Sequence, residues 1–187
     1  MAMGEDEELA ERLFRSYAAK VLEDVVDKTI RMESFCESPI ERLLMVALVC
    51  CEYGRYDVHW YGRPDDPSKQ NILGPKAFDG VHAYLQPQVG SYRVDFAVID
   101  TESNTRIVIE CDGHEFHERT KEQATRDKKR DRDLQLLEFR VLRFTGSEIW
   151  KDAEKCAGEV FDALDAGYRI NRENQRSASR PGVNGDA

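Results

Sequence analysis

Glu110 and Asp112 stand two apart in the run Arg106-Ile107-Val108-Ile109-Glu110-Cys111-Asp112, whose β-branched residues read as a strand. Side chains two apart on a strand share a face, so both carboxylates leave one side while Ile107, Ile109 and Cys111 leave the other. Asp95 lies in the preceding run, Arg93-Val94-Asp95-Phe96-Ala97-Val98, where a charge among apolar residues is costly unless it is paired or binds a metal. Antiparallel pairing through the short turn between the runs brings Asp95 beside Glu110. Oxygen donors with few competing Cys or His suit Mg²⁺, which takes one or two protein carboxylates plus water and phosphate. The chemistry this points to is metal-assisted phosphodiester hydrolysis. A purely structural account also exists. Asp95 and Glu110 can pair with Arg93, Arg106 or Arg143, and a capping-box position explains Glu41 in full.

Cys111, His114 and His117 fall in Cys-Asp-Gly-His-Glu-Phe-His, a spacing that also suggests zinc. A fourth ligand is not evident, and Cys111 lies on the strand face opposite Glu110, so zinc is not expected. From Arg119 to Arg143 nine basic residues face five acidic ones, while the rest of the chain holds 18 basic and 31 acidic residues. This basic segment beside an acidic cluster suits phosphate contacts that position a backbone for cleavage. The alternative is a solvated helix laced with pairs such as Glu122 to Arg126 and Lys129 to Asp133.

The elements that must position these groups follow from periodicity. Residues 5–31 place Leu9, Leu13, Phe14, Tyr17, Val21, Leu22, Val25 and Val26 at helical steps. Ser38-Pro39-Ile40-Glu41 offers a cap, a Pro at the first helical position and a Glu three residues after the cap, so a second helix is expected over 39–53. Residues 54–80, rich in Pro, Gly and Asp, read as an irregular insertion with a short strand at 58–61. Three β-rich runs at 84–89, 92–99 and 106–111 suit a meander. A helix over 118–138, a strand over 139–144 and a last helix capped by Thr145-Gly146-Ser147-Glu148 complete the pattern. The expected organisation is an acidic N-terminal helix (1–37), one α/β domain (38–168) with a central mixed four-stranded sheet, and a disordered tail (169–187).

The chain has 187 residues, a net charge of -9 and 41% hydrophobic residues, enough for one core without disulfides or structural metal. Its longest apolar run, residues 43–51, is far short of the roughly 20 residues of a membrane span, and the acidic N-terminus lacks a signal peptide's pattern. Five cysteines, an odd number without repeated Cys-x-x-Cys spacing, fit reduced thiols. A cytoplasmic location is expected.

The stretch Gln88-Val89-Gly90-Ser91-Tyr92-Arg93-Val94-Asp95-Phe96, followed by Ile109-Glu110-Cys111-Asp112-Gly113 and His117, resembles the PD-(D/E)XK or restriction-endonuclease-like superfamily. It looks most like the small group related to very-short-patch repair endonucleases. In that group Ser-Pro-x-Glu opens a helix before the Val-Asp-Phe strand, and an Asp-x-x-Arg-Asp helix and a strand ending Val-Leu-Arg-Phe come after. Here these match residues 38–41, Asp127-Lys128-Lys129-Arg130-Asp131 and Val141-Leu142-Arg143-Phe144. The resemblance spans roughly residues 38–164 and implies a sheet flanked by helices. Asp95 and Glu110 are then ligands of Mg²⁺ or Mn²⁺, with Asp112 and Glu41 assisting or binding a second ion. The superfamily's usual Lys two positions after the Glu is here Asp112, which supplies no positive charge. Its surrogate is left open among His117, His114, Arg126, Lys129 and Arg130. The function expected is a metal-dependent endonuclease acting on nucleic acid, with DNA the expected substrate and Arg126, Lys129, Arg130 and Arg143 as backbone contacts. The alternative is a non-catalytic nucleic-acid-binding or adaptor protein on the same scaffold. No membrane partner is expected, and a homodimer is left open.

Overall fold

The structure, a computed structural model, describes residues 5–53, 55–62, 72, 79–113 and 121–178. The elements run α1 (Glu5–Glu33), α2 (Pro39–Glu52), β1 (Val58–Tyr61), β2 (Val81–Leu85), β3 (Gln88–Val89), β4 (Tyr92–Arg93), β5 (Phe96–Asp100), β6 (Thr105–Asp112), α3 (Lys121–Leu136), β7 (Arg140–Thr145) and α4 (Gly146–Ala178). One mixed sheet carries the domain in the order β1-β2-β5-β6-β7, antiparallel across its centre and parallel at both edges. It has five strands rather than the expected four, because Val58 pairs with Val81 and draws 58–61 in as an edge. Among the described residues no helix is long and apolar enough to cross a membrane.

Strand alternation splits the core. Ala83, Leu85, Phe96, Val98, Ile107 and Ile109 pack with Leu44, Met45 and Leu48 of α2 and Val160 and Leu164 of α4. Tyr84, Ala97, Ile99 and Val108 face the other side and pack with Leu134 near the end of α3. The parity inferred for β6 therefore holds: Ile107, Ile109 and Cys111 join the first core, and the face shared by Val108 and Glu110 belongs to α3.

Two departures matter. The expected strands over 84–89 and 92–99 are each broken, at Gln86, which takes a positive φ of 51°, and just before Phe96. The Gln86 N–H donates to the Asp95 carbonyl at 2.8 Å, and β3 and β4 close as a separate two-stranded hairpin. The break removes Asp95 from the ladder and frees its side chain for other work. The second departure is the tail, helical to Ala178 where disorder was expected from residue 169; residues 179–187 lie outside the described set. Tyr168 donates to Glu102, Asn171 Nδ2 donates to the Glu102 carbonyl at 3.0 Å, and Gly167 lies so close that a Cβ would fall 1.8 Å from Thr105 Oγ1. These contacts with the turn between β5 and β6 hold a segment whose composition alone suggests none.

Helix starts follow their caps. Ser38 Oγ accepts from the Glu41 N–H at 3.3 Å, and Thr145 Oγ1 accepts from the Glu148 N–H at 3.2 Å while Glu148 reaches back to the Thr145 N–H at 2.8 Å. α4 kinks at Asp152, whose carboxylate re-caps it through the Lys155 N–H at 2.9 Å. α1 docks through Val25 and Met32 and through Lys28, which pairs with buried Glu52 at 2.5 Å. Leu13, Phe14 and Tyr17 remain exposed, and the contacts described for α1 with the core come from its C-terminal half.

Candidate active site

The β5–β6 ladder begins at Phe96 and Ile109, so the next N–H of β6 that would look for β5, that of Cys111, has no backbone partner across the gap. Asp95 supplies one: its Oδ2 accepts from the Cys111 N–H at 2.7 Å. A carboxylate is thus locked at the mouth of the sheet beside the β6 face that carries Glu110. Glu110, 5% exposed, is the most buried acid of the cluster. Burial and then the charge of Asp95 push its carboxyl up to about 8. Burial first, and Glu41 with it, raises Asp95 to about 6, against the lowering by the Cys111 N–H.

Glu41 enters from the start of α2. Its carboxylate accepts from Ser38 Oγ at 2.7 Å and from the Glu37 N–H at 2.8 Å, the capping role its position suggested. It also accepts from Gln86 Nε2 at 2.9 Å, and the same amide reaches Asp95 Oδ1 at 3.5 Å. Gln86, 4% exposed, ties the helix acid to the strand acid, a role that sequence reasoning missed. The available signal was a polar residue between Leu85 and Pro87 at the end of an apolar run.

Two arginines serve the other side. Arg130 of α3 donates through Nη2 to Glu110 and, at 2.6 Å, to the Arg93 carbonyl, with its guanidinium over the Tyr92 ring. Its Nε is buried with no partner among the described residues. Arg143 of β7, opposite Glu110 in the register, is engaged at every nitrogen: Nε and Nη2 donate to Asp131 at 3.2 and 2.7 Å and Nη1 to Asp112 at 3.1 Å. Asp112, expected as a third metal ligand, is therefore held by a salt bridge to Arg143. Lys129 pairs with Asp133 at 2.5 Å, the pair the solvated-helix account expected, and Arg126 is exposed on the same helix. His114 and His117 lie outside the described residues.

Among the described residues no group of three or more His, Cys, Asp or Glu side chains has metal-binding geometry. What remains is a pair of hard oxygen donors, Asp95 Oδ1, which has only a long contact to Gln86, and the second oxygen of Glu110. Two neighbouring carboxyls, Glu110 buried and Asp95 partly so, each with a raised proton affinity, fit a divalent cation that takes one or two protein carboxylates. Cys111 is a free cysteine on the opposite face of β6, and burial pushes its thiol up. Residues 75–164, which contain Asp95, Glu110, Asp112, Arg130 and Arg143, match the restriction-endonuclease-like family described as REase_MTES_1575. No curated protein and no solved structure matches the chain.

Proposed function

We propose that this chain, whose residues 75–164 belong to the restriction-endonuclease-like superfamily, is a metal-dependent endonuclease that hydrolyses phosphodiester bonds, with DNA as its substrate. The observation that carries the reading is the pair Asp95 and Glu110, brought side by side at the mouth of a central sheet with both carboxyls pushed up. Structural carboxylates are usually arranged to keep their charge stable; a pair held against its own repulsion is a mark of chemistry. Mg²⁺ or Mn²⁺, held by Asp95 and Glu110, supplies a water of lowered pKa and offsets charge on the phosphate.

The chain's own residues do the rest. The Cys111 N–H and Gln86 fix the rotation of Asp95, and Glu41 fixes Gln86. Asp112, where the superfamily usually has Lys, carries no positive charge of its own and sits against Arg143, so among the described residues the positive charge for phosphate is assigned to α3. Arg126 on the exposed face of that helix contacts the backbone flanking the cut, with Arg130 beside Glu110.

The test is incubation with supercoiled plasmid and with labelled single- and double-stranded DNA and RNA, in Mg²⁺, Mn²⁺ or EDTA, alongside Glu110→Ala. Metal-dependent cutting of DNA that disappears in the variant is expected. A second reading, a binding module that has lost turnover, draws on the ion pair already present between Arg130 and Glu110. Salt-sensitive binding without cutting in any metal would select it.

A further inference from the structure

Two guanidinium groups reach the acid cluster, and they are held in opposite ways. Arg143 uses Nε, Nη1 and Nη2 on two carboxylates, Asp131 and Asp112, and is fixed by both. Arg130 places two acceptors, Glu110 and the Arg93 carbonyl, on a single nitrogen, Nη2. Its Nε is left buried and unpartnered among the described residues. A fork donor that crowds two acceptors on one prong while another prong is desolvated and empty is not in its best arrangement. The surroundings also allow movement: the group lies 5.8 Å over the Tyr92 ring, a contact that survives a slide along the ring face, and its side chain is 25% exposed. Tyr92 is itself anchored by its hydroxyl on Asp133 at 2.5 Å, so the platform stays while the arginine moves.

We propose that Arg130 is an exchangeable partner: it donates to the Glu110 carboxyl in the cation-free protein and, when a divalent cation takes that group, turns to a phosphodiester oxygen of the bound strand. The proposal rests on the nuclease reading for its phosphate partner, but the exchange itself concerns only Arg130, Glu110 and the cation. It explains how a site with Asp112 in the place of Lys can still present a positive charge to the scissile phosphate, and only after the cation has arrived. Cation and strand are then linked reciprocally: each tightens the other through the same arginine.

The experiment compares Mn²⁺ binding by titration calorimetry in wild type, Arg130→Met and Arg130→Lys, with thermal melts to show that each is folded. Removing the competing cation from Glu110 tightens Mn²⁺ on the order of tenfold in Arg130→Met. Arg130→Lys falls between it and wild type. Equal or weaker Mn²⁺ binding in folded Arg130→Met overturns the exchange, as does failure of every form to bind Mn²⁺. Should Arg130→Met not fold, the ¹⁵Nε signal of Arg130 in the wild-type protein decides: it moves when Mg²⁺ is added, and an unmoved signal overturns the proposal. A second arm measures the salt dependence of binding to a short DNA duplex in Ca²⁺ and in EDTA. In Ca²⁺ the slope of log K against log salt is smaller by about 0.9 in Arg130→Met, the value for one lost phosphate contact, and in EDTA the two proteins coincide. An equal loss in both conditions makes Arg130 a fixed phosphate contact and refutes the exchange. A duplex bound by no form sinks the nuclease reading, while the Mn²⁺ comparison still judges the arginine.

Discussion

Replacing Glu110 by Gln keeps the shape of the side chain and removes its titration, which isolates one buried acid. In the native state its carboxyl rises from the ordinary 4.5 to about 8, with burial as the largest cause and Asp95 next. The sign follows from proton counting. Above about pH 5.5 the unfolded chain has already lost this proton, whereas the native protein keeps it up to about pH 8, so the native state binds more protons and stability falls as pH rises. Each pH unit below the native value costs about 1.4 kcal/mol, so moving metal-free protein from about pH 6.5 to about pH 8.5 costs about 2 kcal/mol through Glu110 alone. Asp95, raised to about 6, has mostly released its proton before that window opens and contributes at lower pH. Urea unfolding in EDTA at the two pH values reads the loss directly. Wild type minus Glu110→Gln removes the background from the four histidines and from other shared groups. The stability of the variant is expected to change by about 2 kcal/mol less than that of wild type across the window. Parallel profiles would refute the reasoning, because a Glu110 held ionised by Arg130 throughout has no proton to lose. Added Mg²⁺ is expected to restore wild-type stability at the higher pH and to leave the variant nearly unmoved.

Two further substitutions test the parts that hold the site. Gln86→Leu removes the amide between Glu41 and Asp95; Glu41 keeps the Ser38 hydroxyl and the Glu37 N–H while Asp95 Oδ1 loses its long contact, at an expected cost of about 1 kcal/mol in urea unfolding with a fall in cleavage rate; an unchanged midpoint and rate would show that Gln86 bridges nothing of consequence. Gly167→Ala drives a Cβ to 1.8 Å from Thr105 Oγ1, so α4 must shift from the β5–β6 turn, at an expected cost of about 1–3 kcal/mol. A melting temperature equal to wild type would mean that the helix beyond residue 164 contributes nothing to the core.

What was legible in the sequence is what depends on local period and capping. Ser38 and Thr145 start helices because a hydroxyl followed by Glu three residues later satisfies free N–H groups wherever the chain goes. The β6 parity that puts Glu110 opposite Ile109 needs only alternation. What was not legible depends on partners far along the chain. Pro87 signals a break in the run, but the positive φ of Gln86 and the reach of its amide to Glu41 and Asp95 depend on partners elsewhere in the chain. The ordered stretch before Ala178 is held by Glu102 and Thr105, more than 60 residues earlier. The salt bridge from Arg143 to Asp112 depends on the parallel β6–β7 register, which sets Arg143 opposite Glu110, and spacing along one strand does not report it.

The position of the acids has a cause in the backbone rather than in their charge. An antiparallel ladder that stops at Phe96 leaves the Cys111 N–H looking into the gap, and a short acceptor one residue before the ladder is the cheapest cover for it. Asp fits this place, because its carboxylate reaches across one strand spacing; Glu, one methylene longer, overshoots. Glu110 lies on the β6 face that Val108 already turns toward α3 while paired with β5, and this is why a cation from that helix can approach it. Ladder termination therefore pulls one acid inward, and strand alternation presents the other to an arginine of α3. The arrangement places two carboxylates of unequal partnership, one capped by backbone and one by a movable side chain. Of the two, only Glu110 can exchange its partner without costing the sheet a hydrogen bond.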